Sequence, residues 1–258
     1  MHMKAPSSEL AATLRLRYQP IIRLEDESLC HVEVLARTLG QDGHLLGPQG
    51  IVEAMGNPEL ALSLTRAIME RALAEYQAQG LCAHQLPLAF NLPLNVLVYP
   101  GIPERIEALR ERHGLPAGLL RFELTETQPV RNLRLAENSI AALRGAGYLL
   151  ALDDVVPSTP FLAALMNTPV DAVKLDRSVV VDTTPEAQSF IGDVTRLAMQ
   201  HRQDIVAEGI ETKEQLRQMR AHGVTHGQGY LFSQPLAVEE LARWLPAGES
   251  GSRSIGSD

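Results

Sequence analysis

LRLRYQPIIRLEDESLCHVEVLAR, residues 14–37, holds two strand-like runs, 14–23 and 30–37, with only the polar turn Glu25-Asp26-Glu27-Ser28 to join them. A parallel return needs a crossover of a dozen or more residues, so these two runs are expected to pair antiparallel as a hairpin. Downstream the pattern changes. Runs rich in β-branched or apolar residues recur near 86–91, 119–124, 148–153, 171–176, 204–207 and 228–232, and helix-period stretches occupy 58–79, 103–113, 131–145, 159–167, 185–202, 212–222 and 237–245. Gly80, Gly114, Gly147 and Gly223 follow periodic segments where C-terminal caps belong, and Pro58 and Pro185 stand near helix starts. The alternation predicts an α/β fold, a (β/α)8 TIM-like barrel with an antiparallel first strand, in which residues at the C-terminal ends of strands read as functional.

At 258 residues and 45% apolar content the chain can bury a full core, and one large domain over 14–246 is the simplest division. Residues 1–13 form an N-terminal extension whose opening Met-His-Met reads as a cloning remnant, and the Gly/Ser-rich 247–258 is expected to be a disordered tail. A net charge of -8 argues against a general affinity for nucleic acid polymer or anionic membrane. An anionic ligand would need metal or a few well-placed Arg and Lys. Cys30 and Cys82 have neither CxxC nor zinc-ligand spacing, no long apolar span is present and no secretory pattern opens the chain. A cytoplasmic protein without membrane insertion is the expectation.

Apolar runs end repeatedly in acids or amides: LAFN at 88–91, FELTE at 122–126, LLALDD at 149–154 and DIVAEG at 204–209. Strand by strand the polar residues are Glu33, Asn91, Glu123, Asp153 with Asp154, Lys174 with Asp176, Glu208 and Gln228, and on a barrel they converge. A lone acid at a strand end is more often a helix cap or a surface salt bridge. Repetition in one register across successive strands argues instead for a site, because gathered carboxylates require cations. Oxygen donors without a His/Cys set suit Mg²⁺ or Mn²⁺, and two such ions would serve an in-line displacement at a phosphodiester, with Lys174 neutralising charge or positioning the attacking water.

At these residues the chain resembles the EAL-domain family of cyclic di-GMP phosphodiesterases, over about residues 14 to 245. YQPIIRL followed by Glu33-Val34-Leu35-Ala36-Arg37 resembles the opening strand and the name-giving Glu-Ala-Leu-x-Arg, with Val34 in place of the Ala. The resemblance implies metal ligands at Glu33, Asn91 (FNLPLNVL), Glu123 (FELTET), Asp153 and Asp154 (LALDD), and catalytic roles for Lys174 (VDAVKLDRSVV), Glu208 (VAEGIET) and Gln228 (HGQGYLFSQPL). It further implies substrate contacts at Gln19, Pro20, Leu35 and Arg37, and supporting roles for Glu126, Asp176 and Glu211. Arg37 has a rationale of its own, since a guanidinium grips a phosphodiester bidentately, although an ordinary salt bridge is the competing reading. Implied with these are two ions, Mg²⁺ or Mn²⁺ with Ca²⁺ inhibitory, a homodimer, and a sensory or regulatory domain in a longer natural protein.

The departure lies after the Asp pair. Family members continue Asp-Phe-Gly-Thr-Gly-Tyr-Ser-Ser, whereas this chain reads Asp154-Val155-Val156-Pro157-Ser158-Thr159-Pro160, without either glycine. Val156 resists the positive φ that Gly allows, and the two prolines stiffen the path. Thr225, where the family often has Asp, is expected to affect packing alone. His31 and His226 read as satisfied or exposed histidines rather than ligands, and Gly227-Gln228-Gly229 lacks the context of a dinucleotide loop. The leading expectation is a two-metal phosphodiesterase that converts cyclic di-GMP to pGpG, attenuated by loop 155–160. The alternatives are a cyclic di-GMP receptor with weak or no turnover, and an interaction module that binds neither metal nor nucleotide.

Overall fold

A computed structural model describes residues 12–40, 42–125 and 133–245. Its strands are β1 (Leu14–Arg23), β2 (Leu29–Leu39), β3 (Leu45–Leu46), β4 (Leu88–Pro93), β5 (Leu120–Thr125), β6 (Leu149–Val155), β7 (Ala172–Leu175), β8 (Asp204–Ala207) and β9 (His226–Gly227). The order β1-β9-β8-β7-β6-β5-β4-β2, closed by β1 against β2, makes an eight-stranded barrel, and β3 is a short addition on the far end of β2. β1 runs antiparallel to both β2 and β9, while every other pair in the closed ring is parallel. The reversed strand follows from the turn at Glu25–Ser28, where Asp26 Oδ1 accepts from the Ser28 amide at 3.0 Å and Glu27 adopts φ 56°.

The longer helices are α1 (Gln49–Met55), α2 (Pro58–Ala78), α4 (Ile102–Arg112), α5 (Leu133–Gly145), α8 (Pro185–His201), α9 (Lys213–Ala221) and α10 (Val238–Trp244), with shorter α3 (Leu94–Leu97), α6 (Leu162–Met166) and α7 (Arg177–Val181) between them. Their starts are written in side chains. Asn57 Oδ1 accepts from the amides of Glu59 and Leu60 ahead of α2, Thr184 caps α8, and Thr212 and Gln215 form a reciprocal capping box on α9. Gly80, Gly114, Gly147 and Gly223 all take positive φ at the helix exits where the sequence places caps.

Strand alternation sends Leu16, Tyr18, Val32 and Val34 outward beneath the helices, where Tyr18 donates to Glu75 on α2 at 2.8 Å. Phe90, Phe122 and Tyr148 continue this packing layer, with ring centroids 6.3 Å and 5.4 Å apart. The opposite faces of the strands carry the polar residues toward the barrel axis.

Two expectations are corrected. The last barrel strand lies at His226–Gly227 rather than 228–232, because Ile210 takes over the next residues: its amide donates to Gln228 O at 2.9 Å and its carbonyl accepts from Leu231 N at 3.0 Å. The helix expected over 159–167 starts only at Leu162, since Val156 and Thr159 close a turn on each other and Phe161 enters the left-handed region. α1, α3, α7 and β3 were not anticipated; each is too short to display a readable period. The tail 247–258 and all but residues 12 and 13 of the N-terminal extension lie outside the described residues.

Gly229 fixes the crossing at Ile210. A Cβ there would stand 2.1 Å from Ile210 O and 2.3 Å from Ile210 N, and backbone atoms cannot swing aside. Gly229→Ala is therefore expected to destabilise the fold by about 2 kcal/mol or more, read as a lower urea midpoint with an unchanged m-value.

Candidate active site

Seven of the eight barrel strands deliver a polar group to one end of the axis. Glu33 comes from β2, Asn91 from β4, Glu123 from β5, Asp153 from β6, Lys174 from β7, and Gln19 from β1, while Glu208 follows directly after β8. Gln228, directly after β9, completes the ring. The register forces this convergence, since Asn91 sits opposite Glu123 and Gln19 opposite Glu33 in their ladders.

Lys174 is at the centre and only 1% exposed. Its Nζ lies 2.6 Å from Glu208 Oε1, 2.9 Å from Glu123 Oε2, 2.9 Å from Asp153 Oδ1 and 3.6 Å from Glu33 Oε2. Glu33 is held from its other side as well. Asn91 Nδ2 donates to Oε1 at 2.8 Å, and Gln228 Nε2 donates to Oε2 at 2.7 Å and to Gln19 Oε1 at 3.0 Å. Gln19 then donates to Ser233 O at 3.3 Å, which ties the network to the loop beyond Gly229. Gln228 Oε1 is buried without a hydrogen-bond partner among the described residues.

Asp153, Asp154 and Glu208 bring carboxylate oxygens within 4.8 Å of one another at the solvent side of this network. Asp154 reaches that position through a left-handed backbone, φ 53°, at an irregularity where β6 slips in register against β7 between Leu152 and Val155. Asp tolerates this region better than most residues, but the conformation stores strain beside the cluster. The following loop solves the loss of its glycines differently from what the sequence suggested. Neither Val156 nor Ser158 takes positive φ; instead Val156 N donates to Thr159 Oγ1 at 2.9 Å, and the left-handed residues are Asp154 and Phe161 on either side.

The charges cannot all be satisfied by one ammonium. Burial alone would neutralise Lys174, yet the carboxylates of Asp153, Glu123, Glu208 and Glu33 outweigh it and hold the lysine protonated, with its pKa well raised. Burial pushes Glu208 up to about 8 despite Lys174, and burial together with the Asp153 charge raises Asp154 to about 6. Glu123 is raised by burial and by Glu33, and Asp153 by burial. Glu33 moves the other way: Lys174 and the amide donors of Gln228 and Asn91 overcome its burial and keep it ionised. The donor set fits a hard divalent cation, since the three clustered carboxylates offer only oxygen ligands.

A family model described as the EAL domain matches residues 7–235. The chain belongs to the EAL domain family. It is 32% identical over 244 residues to the cyclic di-GMP phosphodiesterase NbdA of Pseudomonas aeruginosa, covering 91% of this chain and 30% of that protein. It is 30% identical over 230 residues to the probable cyclic di-GMP phosphodiesterase PdeB of Escherichia coli, covering 89% of this chain and 44% of that protein. The chain thus spans about a third to under a half of these curated relatives. Its fold matches that of the PaMucR phosphodiesterase in complex with c-di-GMP with a TM-score of 0.81 at 22% identity, over 89% of this chain and 94% of that one.

Within the EAL domain the remaining sequence-derived residues fall in different places. Leu35 and Arg37 share the face of β2 that carries Glu33, both half-buried, with Arg37 Nη1 donating to Ala36 O at 2.8 Å. Pro20 pairs with Val32 and, by alternation, lies on the opposite face from Gln19. Asp176 caps α7 by accepting from the Ser178 amide at 2.9 Å, and Glu211 pairs with Arg177 at 2.9 Å. Glu126 lies outside the described residues. Thr225 Oγ1 accepts from the Ile205 amide at 2.9 Å. His226 contacts Thr225 Oγ1 at 2.9 Å, whereas His31 is buried with Nδ1 unpartnered among the described residues, against the expectation of a satisfied or exposed side chain. Arg15 and Arg17 carry no motif of their own in the sequence, but their odd spacing with Gln19 puts all three on one face.

Because Glu208 and Asp154 have raised pKa values, the folded metal-free chain holds protons that the unfolded chain releases above its ordinary carboxylate range. Their contribution to stability is lost as pH rises from about 5 toward 8, the window in which Glu33 and Lys174 keep constant charge. The metal-stripped protein should therefore melt roughly several degrees lower at about pH 8 than at about pH 5.5, and millimolar Mg²⁺ or Mn²⁺ should restore the difference. A melting temperature that rises with pH in the stripped protein would contradict this assignment.

Proposed function

We propose that this EAL domain is a metal-dependent phosphodiesterase that opens cyclic di-GMP to linear pGpG at the carboxylate cluster around Lys174. One observation carries the reading: five carboxylates, Glu33, Glu123, Asp153, Asp154 and Glu208, gather about one buried ammonium, a deficit that two divalent ions would offset. Divalent ions held there would supply a nucleophile at neutral pH and stabilise the attacking and leaving oxygens of an in-line displacement. Asn91 and Gln228 fix both oxygens of Glu33, so that carboxylate is preorganised before any ion arrives. Lys174 holds three further carboxylates in place and remains available to neutralise charge on the phosphodiester. Gln228 Oε1 is free to accept from the incoming water, and Arg37 stands on the same face to grip phosphate.

Mg²⁺ and Mn²⁺ are the supporting ions in this reading, with Ca²⁺ occupying the oxygen site without turnover. Loop 155–160 attenuates the reaction, since Asp154 depends on a strained backbone that the Pro157 turn follows directly. A cytoplasmic homodimer joined to a sensory or regulatory domain in a longer protein completes the proposal; the part of its relatives that the chain spans supports the longer protein alone.

The test is direct. Purified protein given cyclic di-GMP with Mg²⁺ or Mn²⁺ should release pGpG on chromatography; binding in Ca²⁺ with no pGpG in either other metal would make it a receptor instead. Glu33→Ala should lower turnover by about 100-fold or more, because neighbouring carboxylates lose both a shared ligand and its amide clamps. Wild-type pGpG production by that variant would place the centre elsewhere.

The loop gives a separate outcome. Replacing 155–160 by Phe-Gly-Thr-Gly-Tyr-Ser should raise turnover at fixed Mg²⁺ while the cyclic di-GMP Kd stays within about threefold, as Gln19, Leu35 and Arg37 lie on other strands. The same graft with Glu126→Ala should gain much less, as groups acting together do. Steady-state kinetics on the four variants, with an unchanged rate in the graft, would clear the loop of any limiting role.

A further inference from the structure

β1 and β2 carry three arginines on the face that holds Gln19 and Glu33. Arg15 is directly opposite Arg37 in the antiparallel ladder, and Arg17 is opposite Leu35, one diagonal step from Arg37. All three are half-buried. Among the described residues each guanidinium is bound to nearby backbone carbonyls: Arg15 to Leu14 O at 2.8 Å and Ala12 O at 3.5 Å, Arg17 to Leu16 O at 2.9 Å, and Arg37 to Ala36 O at 2.8 Å. Among the described residues none of them makes an ion pair with a carboxylate.

This arrangement is unfavourable in the free protein. Like charges directly opposite on an antiparallel pair repel, and the Arg37 charge is disfavoured first by burial and further by Arg17, with partial relief from Glu33 and Tyr230. An unneutralised cationic strip on a chain of net charge -8 can also draw an anion toward a mouth lined with acids. At the strand rise, Arg17 is about 7 Å beyond Gln19 and Arg37 about 14 Å beyond Glu33, toward solvent and within reach of a flexible guanidinium. A single phosphodiester at the carboxylate cluster would leave this strip unused. A dinucleotide carrying two would not.

We propose that Arg15 and Arg17 form, with Arg37, a second phosphate subsite at the barrel mouth, which takes the phosphodiester that is not being cleaved. The inference rests on the cyclic di-GMP reading and deepens it: the strip selects ligands with two phosphates. Planar guanidinium forks suit this, since each can give two parallel hydrogen bonds to one phosphate.

Calorimetric titration in Ca²⁺ tests it with two ligands, cyclic di-GMP and linear GpG, which has one phosphodiester and no terminal phosphate. Arg17→Gln and Arg15→Gln should each weaken cyclic di-GMP about tenfold and GpG by less than about twofold, and Arg17→Lys should recover part of the loss. Mn²⁺ affinity should be unchanged, and the melting temperature of the Gln variants no lower than that of the parent, because a repulsive charge has gone. Equal affinity for cyclic di-GMP in parent and variants, a parallel loss for both ligands, or a fall in melting temperature would overturn the subsite. If the parent itself binds cyclic di-GMP in no metal, the phosphodiesterase reading falls and the subsite with it.

Discussion

The ammonium of Lys174, enclosed by Glu33, Glu123, Asp153 and Glu208, is the contact on which the site depends. Four strands contribute those carboxylates, and like charges this close would drive the strand ends apart or force protonation. One buried lysine on β7 gives them a common centre, yet it leaves an excess of negative charge. The barrel end is therefore built to be incomplete. Its stability as an isolated fold is compromised by the same charge excess that bound divalent cations would offset.

The rest of the barrel is arranged around that compromise. β1 is reversed, so its odd residues bring Gln19 to the floor of the mouth and Arg17 and Arg15 to its rim, whereas a parallel strand would order them the other way. Gln19 then meets Gln228, whose position depends on Gly229 crossing tightly over Ile210. Glu33 is thereby clamped by amides from both sides of the ring. The outward faces are apolar and packed beneath α2, α8 and α10, leaving the inner face free to be polar at this end.

The segment after Asp154 shows how a lost glycine pair is accommodated. Two left-handed residues, Asp154 and Phe161, flank a turn closed between Val156 and Thr159. Strain thus falls on a candidate ligand. The sequence departure therefore adjoins a physical constraint at the cluster, since the backbone that orients the Asp154 carboxylate is itself in a sparsely populated region.

Periodicity and spacing alone determined the barrel, the reversed first strand and the polar strand ends, because a turn as short as Glu25–Ser28 permits one pairing only and alternation is a local property. Glu33, Glu123, Asp153, Lys174 and Glu208 were legible as a set from their repeated position after apolar runs. What local pattern could not reveal was contact across the ring. That Gln228 bonds Glu33 and Gln19, and that His31 is buried with no partner for Nδ1 among the described residues, each depend on which strands close the barrel. The same holds for the arginines. Arg15 and Arg17 look like ordinary surface charge in a strand, and only the antiparallel register, which sets Arg15 against Arg37, turns them into a cationic strip at the mouth.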